Sequence, residues 1–333
     1  MTLKPNNSTR ILFTSSLATS FIKEDLSLLH KHFIVDHVIA RGLLSPFTIL
    51  RYMWKADVTF TWFASVYGFM TVFLARLLGK RSIVVIGGVD ASKEPVINYG
   101  IWLTPWKAVL VKWTMRNAWK LLVVDPFFIG EVKRLAGYDG RNVEYLPTGY
   151  DAARWVPSGE KENFVLTVAA CHDEWRMKKK GLDVLFAAAK KMEGTKFIVL
   201  GILPHVLEQV KATVPANVEL IPFVQQDQLL AMYRKAKVYC QPSFTEGLPN
   251  SLCEAMLCEC IPVGTNVGGI PTAIADIGFL VPYGDADALA TALTNALSAG
   301  REVGAHAREH IRTNFTIERR ETGLVRTINE AVK

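Results

Sequence analysis

Two carboxylates, Glu246 and Glu254, stand eight positions apart in residues 240–269, CQPSFTEGLPNSLCEAMLCECIPVGTNVGG. An apolar run closes at Pro242, and a loop carrying Glu246 and Gly247 follows. A helix is predicted from about Asn250, with Glu254 in its first turns. A short strand over 261–263 then enters a glycine-rich turn at Gly264, Gly268 and Gly269. Carboxylates accept hydrogen bonds from paired sugar hydroxyls. A helix start offers free N–H groups and partial positive charge to an anion. Glycines let the backbone approach a ligand closely. The segment therefore suits a polyol attached to phosphate, with one carboxylate for each of two polyols. The spacing alone also permits a plainer reading, with Glu246 a surface acid and Glu254 an acid favourable to the helix dipole.

Upstream, Lys180 ends the run RMKKK that begins at Arg176. Such a cluster offers positive charge to an anion. Lys178 and Lys179 also read as a solvated charge run. Asp285-Ala286-Asp287 has the form of a metal-binding D-x-D, but it directly precedes a helical run over 288–297 and reads as a helix cap. Cys258 and Cys260 lack a second pair at zinc spacing. No metal and no cofactor are expected.

These groups need a scaffold, and the chain has length for two domains at 333 residues. Short apolar runs alternate with helical stretches throughout. Strands are predicted over 11–14, 33–40, 58–62, 83–86, 121–124 and 143–145. A second set falls at 164–169, 196–200, 218–221, 238–241, 261–263 and 279–281. Such runs suit buried parallel strands in βαβ units. Pro, Gly and charge break the order over 146–162 (LPTGYDAARWVPSGEKE). The expected division is a first domain over 1–150, a second over 151–315 and a C-terminal helix over 316–333 packing back toward the first domain. Ligands in α/β folds bind at the carboxyl ends of strands, so a cleft between two such domains is the expected site.

The segment from Pro242 to Met256, with Glu246-x7-Glu254 inside it, resembles the signature of the retaining glycosyltransferases of family 4, which have the GT-B fold of two Rossmann-like domains. Lys180-Gly181-Leu182-Asp183 is similar to that family's K-G-x-D element. Pro262-Val263 and Val267-Gly268-Gly269-Ile270-Pro271 resemble its downstream elements, and Leu146-Pro147-Thr148-Gly149-Tyr150-Asp151 its interdomain L-P-N-G-V-D. The resemblance implies that Glu246 meets the transferred sugar and Glu254 the ribose. It implies that Gly247, Leu248, Pro249, Asn250 and Ser251 border sugar and phosphates, and that Lys180 with Arg176 binds the diphosphate. Base contacts are expected near 222–224, at Phe223 and Val224. The donor would be a UDP- or GDP-linked sugar.

The chain departs from that pattern in places. Trp175 stands where the family's arginine usually falls, and Glu259 where it often has glycine. Many members carry His-Gly-x-Asp in the first domain, but here the stretch is Gly87-Gly88-Val89-Asp90. Asp90 reads equally as a sugar or acceptor contact and as a turn cap. Ser16, after the first strand, is expected to approach the donor phosphates.

Charge is unevenly spread. Residues 1–150 hold 18 Lys/Arg against 10 Asp/Glu, whereas residues 151–333 hold 20 against 21. The first half therefore carries the whole excess and is expected to meet something anionic. Residues 101–120 place Trp102, Trp106, Trp113 and Trp119 beside Lys107, Lys112, Arg116 and Lys120. Trp with Lys/Arg suits an interfacial helix on anionic lipid, and Trp102, Trp106, Lys107, Trp113 and Arg116 are the candidate contacts. The alternative is an ordinary helix with its Trp buried. Residues 58–75 lack charge, yet they read as a buried strand and helix rather than a membrane span.

The polar opening lacks the apolar core of a signal peptide, and five cysteines in mostly apolar runs suit a reducing compartment. A cytoplasmic enzyme is expected, or one peripheral on the inner face of the cell membrane. The expected activity is hexose transfer, metal-independent and with retention, to a hydroxyl of a glycan or lipid-linked acceptor. No nucleic-acid partner is expected. The alternatives are a non-catalytic sugar-nucleotide-binding protein and a sugar-nucleotide epimerase of the same architecture. A glycan phosphorylase lacks support, because no lysine-bound pyridoxal signature is present.

Overall fold

The computed structural model describes residues 8–42 and 44–333, so the opening stretch 1–7 and position 43 lie outside it. The twelve apolar runs form twelve strands among the described residues. They are β1 (Arg10–Ser15), β2 (Ile34–Ile39), β3 (Val58–Trp62), β4 (Arg81–Ile86), β5 (Lys120–Val123), β6 (Val143–Tyr145), β7 (Glu162–Cys171), β8 (Lys196–Ile202), β9 (Val218–Ile221), β10 (Ala236–Gln241), β11 (Ile261–Thr265) and β12 (Phe279–Val281).

The chain divides into two compact units, one of Met1–Gly149 with Ile317–Lys333 and one of Tyr150–Thr316. Each unit holds one parallel sheet. The first has the order β2-β1-β3-β4-β5-β6 and the second β12-β11-β10-β7-β8-β9. Strands this apolar need cover on both faces, and the intervening helices supply it. Strand order reverses at β1/β3 in the first sheet and at β7/β10 in the second. Loops that leave the carboxyl ends at such a reversal frame a crevice.

In the first unit, Phe13 and Phe60 stack at 5.2 Å across β1 and β3. The uncharged stretch 58–75 is β3 followed by the helix Val66–Leu77, which Ser65 caps by accepting from the Gly68 amide. No helix among the described residues is long and apolar enough to cross a membrane. The last helix, Ile317–Ala331, carries the buried Arg320. Its guanidinium grips both oxygens of buried Asp25 at 2.9 and 2.6 Å and donates to the Leu146 carbonyl at 2.7 Å. The Trp62 indole also donates to Asp25. A buried bidentate pair with its other valences filled fixes this helix in one register.

Candidate functional site

The second unit places its polar residues where its sheet reverses. The loop after β7 carries Lys180 and the loop after β10 carries Glu246. Lys180 Nζ lies 2.7 Å from Glu246 Oε1, so the ion pair spans β7 and β10 at the switch point. Glu246 Oε1 also accepts from Ser243 Oγ at 2.8 Å and Gln241 Nε2 at 3.1 Å. Burial alone would raise the Glu246 carboxyl. The Lys180 and Lys179 ammoniums, with the Lys180 and Ser243 hydrogen bonds, outweigh that and hold it below its ordinary value.

Two glycines make this approach possible. Gly181 has φ +66°, and a Cβ there would fall 1.8 Å from the Pro242 carbonyl oxygen. Gly268, at φ +52°, would bring a Cβ 2.1 Å from the Glu246 carbonyl oxygen. The K-G and G-G elements are thus the contacts that press two loops onto the Glu246 loop.

The helix Asn250–Leu257 begins beside this pair. Gly247 and the buried Leu248 lead into it, and Pro249 stands at its cap position. Asn250 Oδ1 accepts from the Tyr150 hydroxyl at 2.8 Å. The Tyr239 hydroxyl lies 2.8 Å from Ser251 Oγ and 3.1 Å from Gln241 Oε1, and its single proton is shared between them. A hydrogen-bonded chain therefore ties the helix start to Glu246 through Gln241. The first amides of the helix have no intrahelical partner and suit an anion.

Glu254 lies further along that helix. Its Oε2 accepts from the Tyr233 hydroxyl at 3.2 Å. Burial raises the carboxyl to about 7, against that hydrogen bond and the Arg154 charge. Arg176 is exposed on the short helix Glu174–Lys179, where Asp173 accepts from its amide. Phe223 and Val224 follow β9 at the same strand ends, with the Phe223 ring 71% exposed. Among the expected residues of this unit, Lys180, Glu246 and the 247–251 stretch come together. Glu254 lies in the helix Asn250–Leu257, Arg176 on the helix Glu174–Lys179 and Phe223 just after β9.

Sequence reasoning missed several partners. Lys179 reads as solvated charge, yet it is half-buried, and burial lowers its ammonium to about 8 against the pull of Glu246. Gln241 and Ser243 are fully buried polar groups at the end of an apolar strand. Polar residues closing a buried strand were the available signal. Asp285 accepts from the Ala288 amide at 2.8 Å and caps the helix Ala286–Ser298. Asp287 pairs instead with Lys191.

Two expectations for the first unit are corrected. Asp90 is completely buried, and its oxygens accept from the Gly87, Gly88 and Ala64 amides at 3.2, 3.0 and 3.0 Å. Burial raises it to about 6 against these bonds. It clamps a turn and is not presented to a sugar or an acceptor. Trp102 is buried as well, because its indole donates to the Asp90 carbonyl at 2.7 Å, so it is no surface contact. Trp113 is half-buried and edges against Phe69 at 5.2 Å. Arg116 donates to the Ala136 carbonyl, and Lys107 lies over the exposed Trp106. Ser16 is half-buried after β1, with its carbonyl accepting from Arg41. Gly87 is crowded: a Cβ there would meet the Phe63 ring at 2.8 Å and the Trp62 ring at 3.1 Å, so a histidine would require those rings to move.

Two parallel six-stranded sheets with this reversal define the GT-B class. The full chain superposes on sucrose-phosphate synthase from Thermosynechococcus elongatus with TM-score 0.79, 15% identity, 97% of this chain and 98% of that one. It superposes on Anabaena HepE in complex with UDP-glucose with TM-score 0.78, 12% identity, 96% of this chain and 99% of that one. Residues 163–299 match the family model Glycosyl transferases group 1. That match lies within the second unit, which holds Lys180, Glu246 and Glu254, and the chain has the GT-B fold. Among curated proteins, it is 26% identical over 202 residues to the phosphatidylinositol N-acetylglucosaminyltransferase gpi3 subunit of Schizosaccharomyces pombe. That match spans 56% of this chain and less than half, 44%, of the relative's length.

Proposed function

We propose that this chain transfers a hexose from a nucleoside diphosphate sugar, UDP-linked, to a hydroxyl of a glycan or lipid-linked acceptor, with retention at the anomeric carbon. The Lys180–Glu246 pair at the β7/β10 reversal, beside the Asn250 helix start, carries this reading. Lys180, Lys179 and the helix amides supply the positive charge that a leaving diphosphate requires, in the place of a divalent cation. Arg176 reaches the outer phosphate. Glu246 Oε1 is shared by protein donors, and Oε2 accepts from the sugar. Glu254 accepts from the ribose hydroxyls, and Phe223 stacks on the base. UDP is favoured over GDP because HepE, of the same fold, is described with UDP-glucose.

In the transfer, the anomeric carbon–phosphate oxygen bond breaks as the acceptor oxygen bonds to the same face. The acceptor proton passes to the departing phosphate oxygen. Glu246 binds and is not a nucleophile. The five free and buried thiols support a reducing, cytoplasmic compartment.

Nucleotide release from UDP-, GDP- and ADP-sugars, with and without glycan and lipid-linked acceptors, tests the proposal. Acceptor-dependent UDP release is expected, falling at least ~100-fold in Glu246→Gln and in Lys180→Ala. Full activity in Glu246→Gln would sink the role given to that residue. The filled space at Gly87 favours a second reading, a non-catalytic sugar-nucleotide-binding protein. Tight donor binding without turnover on any acceptor would establish it instead.

A further inference from the structure

We infer that the first unit docks on an anionic phospholipid bilayer through the helices Val66–Leu77 and Pro105–Asn117, with a cationic groove at their carboxyl ends taking headgroup phosphates. This inference is independent of the donor and acceptor assigned above.

The apolar part is a stripe that the fold leaves in water. Leu77 is 67% exposed, Val109 66%, Trp106 57% and Phe73 41%. Phe73 and Leu77 lie four apart on one helix, and Trp106 and Val109 three apart on the other, so each pair shares a face. The two helices pack through aromatic rings, with Phe73 and Trp113 centroids 5.9 Å apart. Soluble surfaces carry single exposed apolar residues, but two exposed apolar pairs on helices packed together, one of them with Trp, suit an interface.

Charge chooses the occupant. Residues 58–124 hold eight Lys/Arg and two acids, Asp90 and Glu94. Asp90 is completely buried, and neither helix has an acidic residue. The exposed face of Pro105–Asn117 runs from Trp106 and Val109 to Lys112 and Arg116, apolar first and then cationic. It ends at a groove of about 540 Å³ lined by Arg76, Lys80, Arg81, Arg116, Lys120 and Arg141, with no acidic lining residue. Arg81 and Lys120 flank the Trp119 ring at 5.3 and 5.4 Å. Lys80 and Arg116 are engaged with backbone carbonyls and add to the local field. Arg76 and Arg141 are exposed at the rim. Apolar side chains beside cations give the two signals that stable interfacial binding takes. Lys120 also pairs with Glu144 at 3.1 Å, and a protein partner would use the apolar side chains and leave the cations at the rim, Arg76 and Arg141, unexplained.

Vesicle flotation of the full chain tests this. Vesicles of phosphatidylcholine with about one-third phosphatidylglycerol should carry the chain, neutral phosphatidylcholine vesicles should not, and ~0.5 M salt should release it. Two variants probe the two halves, Leu77→Asp/Trp106→Asp/Val109→Asp and Arg76→Glu/Arg141→Glu. Each should weaken binding at least ~10-fold without moving the thermal midpoint, because these side chains are exposed. Equal flotation of the variants would overturn the inference, as would equal binding to neutral vesicles. Binding of inorganic phosphate or an oligonucleotide at Arg76 and Arg141 with vesicles ignored would also overturn it and assign the groove to a soluble anion.

Discussion

Lys180 Nζ and Glu246 Oε1 are 2.7 Å apart although 66 positions separate them in sequence. The pair is half-buried, so neither charge is fully compensated by water. Removing one partner leaves the other exposed to the full cost of its burial. Lys180→Met should therefore cost about 2–3 kcal/mol and should raise the Glu246 carboxyl. The folded carboxyl lies below its unfolded value, so its contribution is present at neutral pH and fades as pH falls below the ordinary carboxylate range. In the variant that loss should begin at higher pH. Urea midpoints between neutral and acidic pH measure both effects, and Lys180→Met/Glu246→Gln should recover part of the stability.

Glu254 has the opposite sign. Burial raises its folded carboxyl to about 7, well above the ordinary range of a glutamate in water. Between those values the folded chain keeps a proton that the unfolded chain has released, so stability falls as pH rises through the window. Glu254→Gln should flatten that slope and stabilise the chain above pH 7 by about 1–3 kcal/mol. The same variant should weaken donor binding, because an amide offers one acceptor oxygen where the carboxylate offers two. Thermal midpoints at acidic and alkaline pH, with and without UDP, separate these outcomes.

Gly181→Ala places a methyl where the Pro242 oxygen already stands, on a backbone with positive φ. The expected cost is about 2–4 kcal/mol, or a displaced loop. Donor binding should fall at least ~10-fold although Lys180 and Glu246 are both retained. Calorimetric titration with UDP on the folded variant reads the loss.

Glu259 holds φ +64° just past the helix Asn250–Leu257, where its neighbour Cys260 donates to the Ala255 carbonyl. This is a left-handed helix end filled by a residue that fits it poorly. Glu259→Gly should raise stability by about 0.5–1 kcal/mol, seen as a higher thermal midpoint with unchanged donor affinity.

The strands were legible because buried parallel strands are short apolar runs, and β3, β6, β9 and β12 begin and end where those runs do. The Glu246 segment was legible because its glycines and carboxylates hold fixed spacing. Lys179 was not, since a lysine run looks the same solvated or folded over a carboxylate. The turn cap was one of two readings open for Asp90, and only the burial of both oxygens separates a clamp from a ligand contact. The tryptophans of 101–120 share one composition, yet Trp102 turns inward to a carbonyl and Trp106 outward, a choice made by tertiary packing.

The Arg320–Asp25 grip has a consequence for synthesis. Asp25 is made early, and the guanidinium that neutralises it comes some 295 residues later. Until the final helix leaves the ribosome, the first unit must hold an uncompensated carboxylate or keep that region open to water. The second unit is one continuous stretch from Tyr150 to Thr316. Maturation of the nascent chain is thus expected to close the middle before the beginning.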